Sequence, residues 1–216
     1  MERAQSYAGV ALVPFATHDQ SEVARLEEVA RGGPCASHAW LSLARCHDDH
    51  GRTAQAVLAY VRYALIDPAG AGIREAASRL WKLLVPEHST EPATTSMQLP
   101  ADTGDPWWQA ELILATIRST RHTGKSAAMS DERYFATALQ GLVTFAVDLA
   151  DATRMSDLWR GEVVPYFRKA MANGYLELMA YAVTRPLARP ETLHWLRRHD
   201  ASLSSLHAWS HGWPND

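Results

Sequence analysis

Between Ser37 and Pro68 the apolar positions follow a helical rhythm. In SHAWLSLARCHDDHGRTAQAVLAYVRYALIDP, Trp40, Leu43, Ala44 and His47 fall at i, i+3, i+4 and i+7, and Ala56, Val57, Tyr60 and Ala64 share one face of a second run. A period of 3.6 residues stacks such positions along one side of a helix, so two amphipathic helices are predicted, with Gly51 as the break between them. Asp67-Pro68 ends the pair, because proline disfavours α geometry in the residue before it. Upstream, SEVARLEEVARGGP places Val23, Leu26 and Ala30 on one face, with Ser21 as N-cap and Gly32-Gly33-Pro34 as the stop. Downstream, AGIREAASRLWKLL continues the pattern until Pro86.

The second half of the chain predicts further helices. Asp105-Pro106 is an N-cap followed by proline at the first helical position, and Trp108, Leu112 and Ala115 with Ile113 and Ile117 carry the apolar rows behind it. A long helix is predicted from Ser130 to Asp151. Asp131 and Glu132 suit its positive N-terminus, and Phe135, Leu139, Leu142, Phe145, Ala146 and Leu149 form a stripe wide enough to be buried on two sides. Ser156 opens SDLWRGEVVPYFRKAMAN, which Gly174 closes. Pro165 removes a backbone hydrogen bond there and crowds the carbonyl of Gly161, so a kink or short break is expected. Shorter helical patterns cover Tyr175 to Thr184, Glu191 to His199 and Ser202 to His211. Nothing reads as a strand, and the expected class is all-α.

One interval recurs. Pro34 precedes Pro68, Ala30 precedes Ala64 and Leu26 precedes Tyr60 by 34 residues, and the same step leads from Leu43 to Ala77 and from His47 to Trp81. The spacing of Trp40, Leu43, Ala44, Gly51, Ala56, Tyr60 and Pro68 resembles the tetratricopeptide repeat (TPR), a helix-turn-helix unit of 34 residues, over roughly residues 21–84. The resemblance implies a TPR-like stack of helical hairpins, an α-solenoid, whose first helices line a concave groove. It implies a groove row of His38, Leu41, Arg45, Asp48 and Asp49 on the first helix, while Trp40, Leu43, Ala44 and His47 hold the hairpin together. One subclass of the family clamps chaperone C-terminal carboxylates with Lys and Asn on this row. Leu41 and Arg45 stand at those places here. The expected organisation is TPR-like hairpins over 1–85, a linker over 86–104 rich in Pro, Ser and Thr, and a helical region over 105–216 that is either a C-terminal bundle or degenerate repeats.

Composition narrows the function classes. The chain has 216 residues, a formal net charge of -3, 47% hydrophobic residues and 21% charged residues, ordinary for a globular protein. No basic face points to nucleic acid or an anionic membrane. No uncharged apolar run approaches the ~18 residues of a membrane span. The apolar stretch Tyr7 to Phe15 lacks a basic leader and a cleavage site, so a cytoplasmic location is expected. Cys35 and Cys46, the only cysteines, suit buried or idle thiols in a reducing compartment.

Candidate chemistry is sparse. His47-Asp48 resembles the paired ligand step of the all-helical HD phosphohydrolases, in which His and Asp from several helices hold a divalent metal, with His18 or His38 and Asp67 as further nominees. A metal-dependent phosphohydrolase is therefore the alternative reading, although His47 lies on the face expected to pack inside its own hairpin. His207 and His211 sit at i and i+4 without an acid between them to act as base. Gly124-Lys125-Ser126 has the tail of a phosphate loop but Ser119 where the motif needs glycine. Of eight tryptophans, most are expected in the core, with Trp213 either docked on the body or exposed. No metal and no cofactor are expected. The expected role is an adaptor or accessory subunit that binds another protein or peptide; self-association into a homo-oligomer stays open.

Overall fold

A computed structural model describes residues 20–32, 36–86, 107–150 and 155–213. The stretch Tyr7 to Phe15, Cys35, Asp105-Pro106 and all of the expected linker beyond Pro86 lie outside the described residues. Within them the chain is all-α, as expected. Ten α-helices occur: α1 (Gln20–Ala30), α2 (Ala36–Asp49), α3 (Thr53–Ile66), α4 (Ile73–Leu84), α5 (Trp108–Ser119), α6 (Asp131–Ala150), α7 (Val164–Ala172), α8 (Leu176–Thr184), α9 (Pro190–Arg198) and α10 (Asp200–Gly212).

Local chemistry sets the boundaries. Gly51 has φ 68°, its N–H donates to the Asp48 carbonyl at 3.0 Å, and the Arg52 N–H donates to the His47 carbonyl at 2.8 Å. These two bonds satisfy carbonyls that the end of α2 would otherwise leave unpaired, and glycine meets the left-handed turn without a Cβ clash. The same pair of bonds closes α7. Gly174 has φ 71°, with Gly174 N–H on the Met171 carbonyl at 3.0 Å and Tyr175 N–H on the Ala170 carbonyl at 2.9 Å. Ser130 caps α6 by accepting the Arg133 N–H at 3.3 Å.

At Pro165 the expected break takes a defined form. Trp159 to Val163 wind as one wide turn in which the Val164 N–H reaches back five residues to the Trp159 carbonyl, and α7 then begins with proline in its first turn. The wider turn accommodates the missing N–H and the bulky ring without unfolding the segment.

α1, α2, α3 and α4 pack in chain order, each against the next. Three pairs of positions 34 residues apart are buried at both members, Leu26 with Tyr60, Ala30 with Ala64 and Leu43 with Ala77, whereas His47 is buried and Trp81 only partly so. α3 departs from the amphipathic pattern. Ala54 to Leu65 is buried without a break, because α5, α8 and α10 also pack on this helix. One continuous cluster of apolar side chains therefore runs through both halves of the chain, from Leu43, Val57 and Tyr60 to Leu139, Phe167 and Leu206. Polar ties cross it. Glu111 of α5 accepts the Ala54 N–H at the start of α3 at 2.7 Å, and the Trp159 indole donates to Glu27 of α1 at 3.0 Å. Trp213 docks edge-on against Tyr166, with ring centroids 5.6 Å apart. Arg62 of α3 is buried with its guanidinium 3.8 Å from the centroid of the Tyr166 ring.

Candidate functional site

Leu41, Arg45 and Asp48 of α2 face the loop into α4 and its first two turns. Leu41 sits beneath the loop into α4: it is only 8% exposed, and a Cβ on Gly72 would lie 2.5 Å from its Cδ2. The Gly72 N–H donates to the Tyr63 hydroxyl at 3.1 Å, which fixes that loop against α3. One turn further along α2, Arg45 Nε donates to Glu75 Oε1 at 2.9 Å, and its Nη2 pairs with Glu75 Oε2. Asp48 accepts from Tyr60 Oη at 3.4 Å and pairs with Arg79 Nε at 3.2 Å. Burial raises the Asp48 carboxyl above its usual range, and Arg79 opposes that rise. His38 and Asp49 stand exposed at the two ends of α2.

The structure thus brings Leu41, Arg45 and Asp48 together along the α2–α4 seam and leaves His38 and Asp49 at its margins. The two ion pairs are crossed in sign: cation on α2 with anion on α4, then anion on α2 with cation on α4. Each pair has a shielded and an open member. Side-chain exposure is 24% for Arg45 against 49% for Glu75, and 12% for Asp48 against 47% for Arg79. The more open pair, Arg45–Glu75, is worth about 0–1 kcal/mol, so Glu75 can be redirected at little cost. Glu75 and Arg79 were not singled out from sequence. The 34-residue step contains the signal, since it carries Leu41 to Glu75 and Arg45 to Arg79.

The other candidate residues fall elsewhere. His47 is 1% exposed, its ring centroid 5.7 Å from that of Trp159, and neither ring nitrogen has a hydrogen-bond partner among the described residues. Burial, reinforced by Arg52 and His50, pushes its imidazole down to about 3, so it is neutral near pH 7. Among the described residues no three His, Cys, Asp or Glu side chains are grouped to hold a metal ion. Gly124–Ala128 forms a short 3-10 turn at the surface. Arg121 ties this loop down by donating to the Ser126 carbonyl at 2.7 Å and to Asp131 at 2.6 Å. Cys46 is buried, which lifts its thiol to about 11 and makes a thiolate nucleophile unfavourable there. No described helix is long and apolar enough to cross a membrane.

No family model matches the chain, and neither does any curated protein or solved structure.

Proposed function

We propose that the protein is a non-catalytic binding module, an adaptor or accessory subunit, and that the α2–α4 seam receives a segment of a partner protein. The observation that carries this reading is the crossed, half-open pair of ion pairs Arg45–Glu75 and Asp48–Arg79 on two neighbouring helices. Such a strip offers alternating donors and acceptors at helical spacing. The guanidinium of Arg79, the open cation of the strip, pairs with Asp48 through Nε, and its planar fork matches a carboxylate or a backbone carbonyl on a bound chain. The resemblance to tetratricopeptide repeats, whose first helices line the groove, supports the same surface. The alternative metal-dependent phosphohydrolase has less behind it, because its ligand pair would need His47 open to a polar cleft and Asp48 released from Tyr60 and Arg79.

The test is site-specific photo-crosslinking in the native cell, with the crosslinker placed at His38, at Asp49 and, as a control, at the exposed Glu177 of α8. A partner that crosslinks through His38 and Asp49 but not through Glu177 supports the seam. Equal crosslinking from all three positions, or from Glu177 alone, overturns the placement.

A further inference from the structure

We infer that the cavity where the C-terminal ends of α3 and α8 meet α10 binds a small free monocarboxylic acid with a branched apolar body. This inference is independent of the α2–α4 seam, since no residue of the seam lines the cavity.

The cavity measures about 250 Å³. Its apolar walls come from four helices: Leu65 of α3, Ile73 of α4, Ala182 of α8 and Leu203 of α10. Among the described residues only Arg185 and His207 bring polar side chains to it; Arg185 is a donor only, and an imidazole offers an N–H. Arg185 lies in the 3-10 turn Arg185–Leu187 that follows α8, is exposed, and has no carboxylate partner among the described residues. Burial first, then the neighbouring His211 and Arg185, lowers the His207 imidazole. His207 therefore supplies a neutral N–H, and Arg185 supplies the fixed charge. A site with an apolar interior, one permanent cation and no acid selects an anion with an apolar tail.

Size and geometry refine the ligand. A cavity of about 150 Å³ accommodates benzene, so this one encloses a body of roughly eight to ten non-hydrogen atoms and is too small to enclose a nucleotide or a long acyl chain. The planar guanidinium matches the two oxygens of a carboxylate, and a single cation suits a monoanion better than a phosphate dianion. A free acid fits better than the end of a protein chain, whose backbone N–H and C=O groups would meet the apolar walls without partners.

The test is a titration of the full chain with 4-methylpentanoate, followed by calorimetry and by the His207 Cε1 proton resonance, with 4-methylpentanamide as the neutral comparator. Saturable binding of the acid is expected, with the amide weaker by about ten-fold or more, the range for losing a charged hydrogen bond. Arg185→Gln should bring the acid down to the level of the amide, and because Arg185 is exposed, the fold survives the change. Ala182→Leu should abolish binding of both by filling the cavity; if that variant fails to fold, the Arg185→Gln comparison decides. The inference is overturned by an acid that does not saturate at millimolar concentration, by equal affinity for acid and amide, or by unchanged affinity in Arg185→Gln. It is equally overturned if a leucine-terminated peptide with a free carboxylate binds more tightly than the small acid.

Discussion

His47 makes the stability of the fold depend on pH in a calculable way. Its ring is buried against Trp159 with both nitrogens unpartnered among the described residues, and its imidazole is held at about 3, mainly by burial, against an ordinary value of 6.5. A histidine that is neutral when folded and protonated when unfolded stabilises fully above the unfolded value and progressively less as the pH falls toward the folded one. The unfolded chain then binds one more proton than the native state, which gives a slope of about 1.4 kcal/mol per pH unit. Between about pH 6 and about pH 4 this one group should remove about 2–3 kcal/mol, a large share of a typical domain's stability. His47→Leu keeps the approximate volume, removes the titration and leaves no buried nitrogen without a partner. Urea unfolding followed by circular dichroism, run on both proteins across this range, should give a stability difference that widens in favour of the variant as pH falls. Parallel profiles, or a native His47 that titrates near its ordinary value by NMR, would refute the reasoning.

Two further predictions concern the frame that holds the seam. Glu27→Leu strands the buried Trp159 indole N–H and should cost about 1–3 kcal/mol in equilibrium unfolding; a change within error would mean that this bond contributes nothing. Gly51→Leu forces a side chain into a left-handed turn and should cost about 1–2 kcal/mol, while Ala56→Trp overpacks the α2–α3 contact by about 1–3 kcal/mol or more. Thermal melts unchanged in both variants would contradict the tight hairpin.

Helix positions were largely legible in the sequence because capping and period are local. Gly51, Pro68, Pro86, Ser130 and Gly174 mark ends that the structure places within one or two residues. The burial of α3 on every side was not legible. Its sequence shows one apolar face with Gln55 and Arg62 off it, and only the packing of α5, α8 and α10 from the other half of the chain encloses the rest. The same limit applies to His47, whose neighbour Trp159 arrives from that half, and to Leu41, which the loop at Gly72 covers. For the candidate site, helical spacing was enough to put Leu41, Arg45 and Asp48 on one row of α2. Its partners Glu75 and Arg79 lay one repeat interval away, and the cavity at Arg185 and His207 arises from tertiary packing that no local pattern encodes.

The most direct test of the seam exchanges the charges of one pair. Arg45→Glu combined with Glu75→Arg keeps an ion pair between α2 and α4 but reverses the charge that each helix presents. Against the partner identified by crosslinking, the double variant is predicted to melt within about 1 kcal/mol of the wild type and to bind about ten-fold or more weakly, the loss expected for a misdirected charged hydrogen bond. Undiminished binding by the exchanged protein would contradict the assignment of this surface.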